Sequence, residues 1–323
     1  MSETLQRICW VFPDRESARQ GAMWRRVFWD AYQKVAAELG MSFTIHAPDA
    51  IAVDGLDPAR PRVFVDGELV DPDETAFITA LYSLPYHTMD VFNQYAVYAV
   101  LEQAGFYLPI PPWLSAVVND KLATNLFLAG APIPPVPTVR IGCGRDIQQR
   151  LYEPALAELT YPAIVKPAGW ASGWGVNLAR GEEDLRGLLS LAQGGETTLV
   201  AQPYLGAGTT DYRLYVVEGR VQAVLARIPK DDAPCSSGSR GGSMRFVDLP
   251  DELASTVDWF VARIPTPYFC VDFLHDGTRY WLSEIETDGA AGNPDAGVQH
   301  DLIAARFGAY RRAHAAWREA RHA

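Results

Sequence analysis

Alternating apolar and polar stretches in the N-terminal third of the chain predict an α/β sheet. Arg7 to Phe12 is an apolar run with the character of a buried strand. Apolar residues then recur every three or four positions from Ser17 to Leu39, which predicts a helix that stops at Gly40. Met41 to Ala47 predicts a second strand. Strand, helix and strand in succession are typical of an open α/β sheet.

The rest of this third continues the pattern. Arg62 to Val65 predicts a short strand that turns at Asp66-Gly67, and Ala76 to Tyr82 is a further apolar run. Met89 to Ala104 predicts a helix that ends at Gly105. No G-x-G-x-x-G motif follows the first strand, so the dinucleotide-binding fingerprint is absent.

A proline-rich segment, Leu108 to Pro112, predicts a stiff boundary. A helix is predicted over about Asn119 to Ala129, with Asn119 or Asp120 as its cap and Gly130 as its stop. From about residue 138 to 200 the pattern predicts strand, helix, strand, glycine-rich loop, strand, helix and strand.

The remainder predicts a β-rich block closed by a long helix from about Asp301 to Arg321. We therefore predict three units along the chain: an N-terminal α/β domain over 1–112, a linker helix with a small subdomain over 113–200, and a C-terminal β-rich subdomain over 201–323.

Composition limits the function classes. The 323 residues are 48% hydrophobic and 21% charged, enough apolar material for a sizeable core, and the net charge is −11. A broad surface for nucleic acid or anionic membrane is therefore not expected. The polar N-terminus predicts no signal peptide, and no apolar run reaches membrane-spanning length. The cysteines, far apart and without metal-binding spacing, predict reduced thiols in the cytoplasm: Cys9, Cys143, Cys235 and Cys270.

Three carboxylates interrupt two apolar strand patterns near the C-terminus. Glu284 and Glu286 are two residues apart, so both side chains point to one face of a strand. Asp272, on the preceding strand, joins that face if the hairpin loop has an odd number of residues, for example a three-residue loop at Asp276 to Thr278. A two-residue Asp-Gly turn would place Asp272 on the other face. Three carboxylates together repel unless a cation lies between them, and Mg²⁺ prefers such ligands; the alternative is three unrelated carboxylates facing water.

A lysine and a glycine-rich loop suggest a site for phosphate. The predicted strand Tyr161 to Pro167 carries Lys166 near its end, and a loop rich in Gly and Ser begins at Gly169. A cation fixed at a strand end and a loop whose backbone N–H groups can approach an anion would together bind phosphate. The G-x-x-x-x-G-K-[ST] order of a P-loop is missing. The alternative is a surface lysine beside a flexible turn.

Polar residues also mark the strands that follow. Asp211 and Arg213 alternate with apolar residues and so share a face, and Arg227 lies on the next strand across a hairpin at Glu218-Gly219. The alternative is that Asp211 and Arg213 only pair with each other at a sheet edge. Lys230 to Arg245 is rich in Gly, Ser and Asp, which predicts a mobile loop.

Taken in order, these motifs resemble the ATP-grasp superfamily, especially its glutathione-synthetase-like and glutamate-adding ligases. The similarity is carried by Lys121, Lys166, Ser172 to Val176, Gln202 to Leu205, Asp211 to Arg213, Arg227, Gly241-Gly242, Asp272 and Glu284 to Glu286. The resemblance is close over about residues 115 to 297. The first 110 residues resemble the family only in being an α/β domain that precedes the ATP-grasp part. The resemblance implies an ATP-grasp fold, with an α/β domain preceding a lid subdomain and a β-rich subdomain.

The resemblance also implies ATP as cofactor and Mg²⁺, or Mn²⁺, as metal. ATP would be bound by Lys121, Lys166, Ser172, Gly173, Gly175, Gln202, Pro203, Tyr204, Leu205 and Asp211. The transferred phosphoryl group and substrate carboxylate would face Arg213, Arg227 and Arg240. The metal ligands would be Asp272, Glu284 and Glu286. The implied reaction joins a carboxylate to an amine through an acyl phosphate.

Two departures from the family pattern bear on substrate choice. The family usually has Asn at the position of Glu286, and an Arg-x-Asn before the Gly-Gly pair is replaced here by Cys235 and Ser237, with Arg240 beside the glycines. The expected partners are a small-molecule carboxylate and amine, or a peptide, and relatives are commonly dimers or tetramers. Two alternatives stay open: a small-molecule kinase and a nucleotide-binding module without activity. Trp170 and Trp174, in the glycine-rich loop, are the aromatic residues expected to touch ligand.

Overall fold

The structure, a computed structural model, describes residues 5–13, 25–83, 91–171, 173–195, 197–230, 242–291 and 295–323. Ser172, Arg240 and Gly241, which belong to the predicted site, lie outside these ranges, as do Cys235 and Ser237. Cys9, Cys143 and Cys270 are buried free thiols, as predicted for them. No helix within the described ranges is both long and apolar enough to cross a membrane.

A parallel three-stranded sheet forms the first layer, and its central strand is the predicted first strand. The strands are β1 (Arg7–Val11), β2 (Ser42–His46) and β6 (Thr75–Ile78), in the order β2-β1-β6. Helix α1 (Asp30–Glu38) follows a wider helical turn over Arg25–Trp29, so the described part of the predicted helix is confirmed. Helix α2 (Val91–Gln103) confirms the second predicted helix.

A small antiparallel sheet lies between β2 and β6 in sequence. Its strands are β3 (Ile51–Asp54), β4 (Arg62–Val65) and β5 (Glu68–Val70). The turn at Asp66 and Gly67 is confirmed, and both residues have positive φ, 49° and 84°. Helices α3 (Pro112–Val118) and α4 (Lys121–Phe127) follow. Of the two predicted caps, Asp120 is the one used, since its carboxylate accepts from the N–H groups of Leu122 and Ala123.

The glycine-rich loop belongs to a four-stranded antiparallel sheet. This lid sheet consists of β7 (Val139–Ile141), β8 (Ala163–Pro167), β9 (Asn177–Ala179) and β10 (Leu199–Pro203), in the order β7-β10-β8-β9, with α5 (Glu182–Gln193) beside it. The helix predicted between β7 and β8 is wrong: only two short 3₁₀ turns, Arg145–Gln149 and Glu153–Leu156, occupy that stretch. Pro154 lies at the start of the second 3₁₀ segment. A continuous helix between β7 and β8 would place this proline in the helix interior, where proline is not tolerated.

A five-stranded antiparallel sheet forms the C-terminal unit. Its strands are β11 (Thr210–Val217), β12 (Arg220–Ile228), β13 (Ser243–Val247), β14 (Tyr268–His275) and β15 (Tyr280–Glu286), in the order β13-β12-β11-β14-β15. The loop predicted over Lys230 to Arg245 is too long, because Ser243 already pairs with Ile228 at the sheet edge. Two short helices, α6 (Asp251–Ala254) and α7 (Val257–Val261), connect β13 to β14.

The last helix, α8 (Ala296–His322), joins the parallel sheet to the five-stranded sheet. It starts at Asp295, whose carboxylate accepts from the N–H groups of Gly297 and Val298. Phe307 of α8 packs edge-on against Tyr32 of α1, with ring centroids 5.7 Å apart. Tyr268 of β14 belongs to the same buried cluster. The two sheets and α8 therefore share one hydrophobic core.

Candidate active site

A cleft between the lid sheet and the five-stranded sheet collects most of the predicted site residues. Lys166 on β8 and Lys121 at the start of α4 line it from one side. Lys121 is only 8% exposed, and its Nζ donates to the carbonyl oxygen of Trp170 at 2.8 Å. The same Nζ lies 3.7 Å from Oε2 of Glu284. One lysine therefore connects the glycine-rich loop to the carboxylates.

The glycine-rich loop contributes to the cleft wall. Trp170, Gly173 and Trp174 line the cleft. Gly175 has φ 70°, and a Cβ there would lie 2.7 Å from Cδ of Pro167. Only glycine fits this position without displacing its neighbours, because both the left-handed backbone and the close approach exclude a side chain.

The Gln202 to Leu205 segment also lines the cleft. Gln202 is buried, and its Nε2 donates to Oγ1 of Thr138 at 2.8 Å. The same hydroxyl oxygen accepts from Nδ2 of Asn125 at 3.0 Å. Because Gln202 is tied to this buried network, its side chain helps to hold β10 against α4, and backbone groups remain to line the cleft.

Two arginines, Arg213 and Arg227, form ion pairs with the carboxylates of the site. Arg213 donates to both oxygens of Asp272, from Nε at 2.8 Å and from Nη2 at 2.7 Å, and lies 2.6 Å from Oε1 of Glu286. Arg227 donates to Asp272 and, at 2.8 Å, approaches Oδ2 of Asp211. The alternative that Asp211 and Arg213 pair at a sheet edge is wrong, because β11 is the middle strand and each residue has a partner on a neighbouring strand.

This geometry corrects one expectation about Arg213. Its side chain is 8% exposed and does not line the cleft, whereas Arg227 does. Asp272 is 1% exposed and is likewise absent from the cleft wall, while Asp211, Glu284 and Glu286 face it. Arg213 therefore supports carboxylates and does not face a transferred group in this structure.

The three carboxylates fit a divalent cation. One oxygen from each of Asp272, Glu284 and Glu286 lies within 4.8 Å of the others. Asp272 reaches this face by a route that the sequence did not predict. Four residues separate His275 from Tyr280, so the odd-length loop that was one of the two alternatives is not present. A β-bulge after Leu282 instead brings Asp272 opposite Glu284. An all-oxygen set on a rigid hairpin suits Mg²⁺ or Mn²⁺.

Burial and neighbouring charges spread the pKa values of these acids. Burial raises the pKa of Glu286 to about 7, against the opposing effect of Arg213. Burial also raises the pKa of Asp211 to about 6, although Arg227 opposes it. Burial alone would raise the pKa of Asp272 as well, but Arg213 and Arg227 outweigh it and hold that pKa below its usual value. Asp272 is therefore more firmly ionised than Glu286 or Asp211.

Several cleft residues were missed from the sequence. Val136, Ile164, Thr209, Leu274 and Ser283 also line the cleft. Ile164 and Leu274 are apolar strand positions, which no local pattern distinguishes from core residues. Ser283 is the extra residue of the bulge. A bulge can be recognised only once the two strands are paired, so the sequence alone did not identify Ser283.

Two antiparallel sheets that enclose a cleft lined by lysines and acids, after an α/β domain, define an ATP-grasp fold. The chain belongs to the RimK-like ATP-grasp domain family, whose model matches residues 118–293. Among curated proteins it is similar to the D-alanine–D-alanine ligase of Streptococcus equi subsp. zooepidemicus, with 32% identity over 146 residues, 45% of this chain and 34% of the relative. The match thus spans about a third of that relative's length.

Solved structures extend the likeness to nearly the whole chain. The D-alanine–D-alanine ligase of Bacillus anthracis complexed with ATP has a TM-score of 0.64 at 14% identity, over 96% of this chain and 98% of that one. A RimK domain protein of Sphaerobacter thermophilus has a TM-score of 0.60 at 16% identity, over 93% and 98%. These likenesses confirm the predicted fold.

Proposed function

We propose that this protein is an ATP-dependent carboxylate–amine ligase that forms an amide or peptide bond and releases ADP and phosphate. The observation that supports the proposal is the opposition of charges across the cleft. Lys166 lines the side of the glycine-rich loop, Glu284 and Glu286 line the facing sheet, and Lys121 lies between the two, 3.7 Å from Glu284. Such a cleft can hold a polyphosphate between cations from the protein and a divalent cation on the carboxylates.

The reaction would run in two displacements. A substrate carboxylate oxygen attacks the γ-phosphorus of ATP and releases ADP, which gives an acyl phosphate. The amine nitrogen then attacks the acyl carbon, phosphate leaves, and the nitrogen loses a proton. Lys121, Lys166 and Arg227 would offset the negative charge that accumulates on the transferring group. Bound at Asp272, Glu284 and Glu286, Mg²⁺ would neutralise phosphate charge.

An acyl phosphate hydrolyses in water, so the site must exclude solvent. Trp170 and Trp174 support this requirement, because both line the cleft from the glycine-rich loop. Trp174 is 46% exposed in this structure, so a large aromatic surface is available to cover a bound nucleotide.

For the substrates we propose a small carboxylic acid and an amine, with amino acids first. The name of the Streptococcus relative, D-alanine–D-alanine ligase, supports that choice. We further propose a homodimer or homotetramer and no nucleic-acid partner; the net charge of −11 supports the latter.

The experiment that tests this function is ADP release from Mg²⁺-ATP in the presence of pooled amino acids and small carboxylic acids, followed by mass analysis of products. We expect ADP to form only when an acid and an amine are both present, with a product mass equal to their sum minus water. Glu284→Gln should lower the rate by about 10- to 100-fold. Glu252→Gln, at an exposed position of α6, is the matched control and should leave the rate unchanged.

Three outcomes would contradict the proposal. ADP formation without an amine, together with a stable phosphorylated product, would indicate a kinase. ATP binding without ADP formation in any pool would indicate a nucleotide-binding module. A rate unchanged by Glu284→Gln would show that the cleft does not perform the chemistry.

A further inference from the structure

The segment that follows the metal carboxylates, residues 288–291, is held almost entirely by side chains. It has no regular secondary structure, and it leaves β15 only two residues after Glu286. Side chains from three parts of the fold bind its backbone: Arg306 to the carbonyls of Asp288 and Gly289, Tyr268 to that of Gly289, Tyr215 to that of Ala290, Gln299 to that of Ala291, and Tyr32 to the N–H of Ala291.

Arg306 of α8 is the central donor among these. The residue is 1% exposed. Nη1 lies 3.3 Å from the Asp288 carbonyl oxygen and 3.5 Å from that of Gly289, and 3.2 Å from the hydroxyl of Tyr32. Nε donates to the hydroxyl of Tyr310 at 2.8 Å. One guanidinium group thus joins the segment, α1 and its own helix.

The surroundings of Arg306 are aromatic. Its guanidinium carbon lies 4.1 Å from the ring centroid of Tyr268, 4.9 Å from Trp10 and 5.4 Å from Tyr310. No ion pair joins it to a carboxylate within the described ranges, but the buried carboxyl of Asp288 is near enough to feel its charge. Cation–π contacts and neutral oxygen acceptors add to the compensation. An apolar side chain of similar volume would avoid the cost of burying this charge. What the guanidinium adds is directional donation to several segments at once.

Contact between this segment and the metal site is direct. A Cβ built on Gly289 would lie 2.5 Å from Sγ of Cys270 and 3.1 Å from Oε2 of Glu286. Cys270 pairs with Glu286 across β14 and β15. Because there is no room for even a methyl group between Gly289 and these two side chains, a shift of the segment towards them would displace the carboxylate of Glu286.

We propose that Arg306 is a positioning residue for the metal site. By holding residues 288 and 289 against Glu286, it sets the distance between the carboxylate of Glu286 and those of Asp272 and Glu284, and so the affinity for a divalent cation. Only the predicted effect on ADP formation rests on the proposed function. The predicted effect on metal affinity can be measured without turnover.

The test measures Mn²⁺ binding by electron paramagnetic resonance, in the presence of a non-hydrolysable ATP analogue. Outer residues that orient metal ligands typically contribute 10- to 100-fold to metal affinity, so we expect Arg306→Met to weaken Mn²⁺ binding by about that factor. Arg306→Lys should do the same, because one ammonium cannot replace the planar fork. The matched control is Arg311→Met, which removes another α8 arginine that donates to a backbone carbonyl, that of Leu39, far from the segment in sequence.

A second pair of variants tests the same link if Arg306→Met does not fold. Gly289→Ala should also weaken Mn²⁺ binding, because its methyl group would push against Cys270 and Glu286. Cys270→Ala in the same chain removes the sulfur at 2.5 Å and should restore part of the affinity. Nucleotide affinity without metal should stay unchanged in every variant.

Unchanged Mn²⁺ affinity in folded Arg306→Met or in Gly289→Ala would overturn the proposal, whatever the loss of stability. If the wild type binds Mn²⁺ and the variants bind it weakly, but no substrate pool gives an amide, then the proposed function fails and this inference stands. If the wild type forms an amide but the variants bind Mn²⁺ as tightly as the wild type does, then the proposed function stands and this inference fails. In the active enzyme, Arg306→Met should raise the Mg²⁺ concentration for half-maximal ADP formation while leaving KM for the acid and the amine unchanged.

Discussion

Asp272 lies directly opposite Glu284 on the β14–β15 hairpin, although the length of the hairpin loop would place the two on opposite faces. Pairing is regular from His275 and Tyr280 to Phe273 and Leu282. Ser283 is then bypassed, and Asp272 pairs with Glu284. Since side chains alternate along a strand, one bypassed residue restores the common face that an even loop removes.

The bulge gives a prediction about register. A glycine inserted between Ser283 and Glu284 should move both glutamates off the metal face, because every following side chain changes side. We expect Mg²⁺-dependent ATP binding to fall at least about 10-fold, measured by titration calorimetry. A glycine inserted after Gly277, in the loop, is the matched control. It should cost less than about 1 kcal/mol in the free energy of unfolding and leave binding unchanged. Equal effects from both insertions would contradict the role of the bulge.

The carboxylate–arginine cluster gives a prediction about stability. Arg213→Met leaves Asp272 and Glu286 without their shared partner, and removing one member of a buried charge pair costs about 3 to 5 kcal/mol. The free energy of unfolding in urea measures this loss.

Arg312→Met is the control for this loss, because it removes an ion pair with Glu218 in which the arginine side chain is 63% exposed. A surface pair contributes less than about 1 kcal/mol. If Arg213→Met and Arg312→Met lower the free energy of unfolding by similar amounts, the buried cluster contributes no more to stability than a surface ion pair does.

Gly175 gives a prediction about nucleotide binding. Gly175→Ala forces a methyl group to within 2.7 Å of Pro167 in the lid, so the glycine-rich loop must shift and ATP should bind at least about 10-fold more weakly. Gly208→Ala is the control: Gly208 also has positive φ, 81°, but a Cβ there meets nothing within 4 Å. It should show only the backbone strain of about 1 to 2 kcal/mol. If both variants bind ATP equally, the contact with Pro167 is irrelevant.

His314 gives a prediction about pH. Burial lowers the pKa of this imidazole, against the opposing effect of its hydrogen bond to Pro72 and with a further lowering by Arg318. Nε2 lies 3.1 Å from the Pro72 carbonyl oxygen, and Nδ1 has no partner within the described ranges. Between the lowered pKa and the ordinary value of about 6.5, the unfolded chain binds more protons than the folded one. The free energy of unfolding should therefore fall as pH decreases below about 6.5 and be unaffected by this group at higher pH.

The measurement is the difference in unfolding free energy between wild type and His314→Phe from pH 5 to 8, a range chosen around the ordinary pKa of about 6.5. We expect the wild type to lose stability relative to the variant at the acidic end. His322→Phe removes an exposed histidine paired with Asp73 and is the control. A constant difference across the range would show that the pKa of His314 is the same in the folded and the unfolded chain, and so is not lowered by burial.

Local patterns of residues predicted much of this protein. Apolar runs of four to eight residues and amphipathic periods predicted most strands and the long helices, because burial imposes period 2 on strands and 3.6 on helices. Polar residues inside apolar strands, such as Asp272 and Glu284, identified the candidate site, because a buried charge needs a partner. Capping at Asp120 and the turn at Asp66-Gly67 were equally readable from local chemistry.

The strand register and the burial of the arginines became known only from the tertiary structure, because a short stretch of sequence does not specify how distant segments pair. The bulge at Ser283 is a property of two strands in register, and it placed Asp272 with the glutamates by a route that loop length did not predict. Burial turned Arg213 away from the cleft and towards Asp272 and Glu286. Arg306, an ordinary basic residue in the helix pattern, became the buried support of residues 288 and 289 only when α8 packed against both sheets.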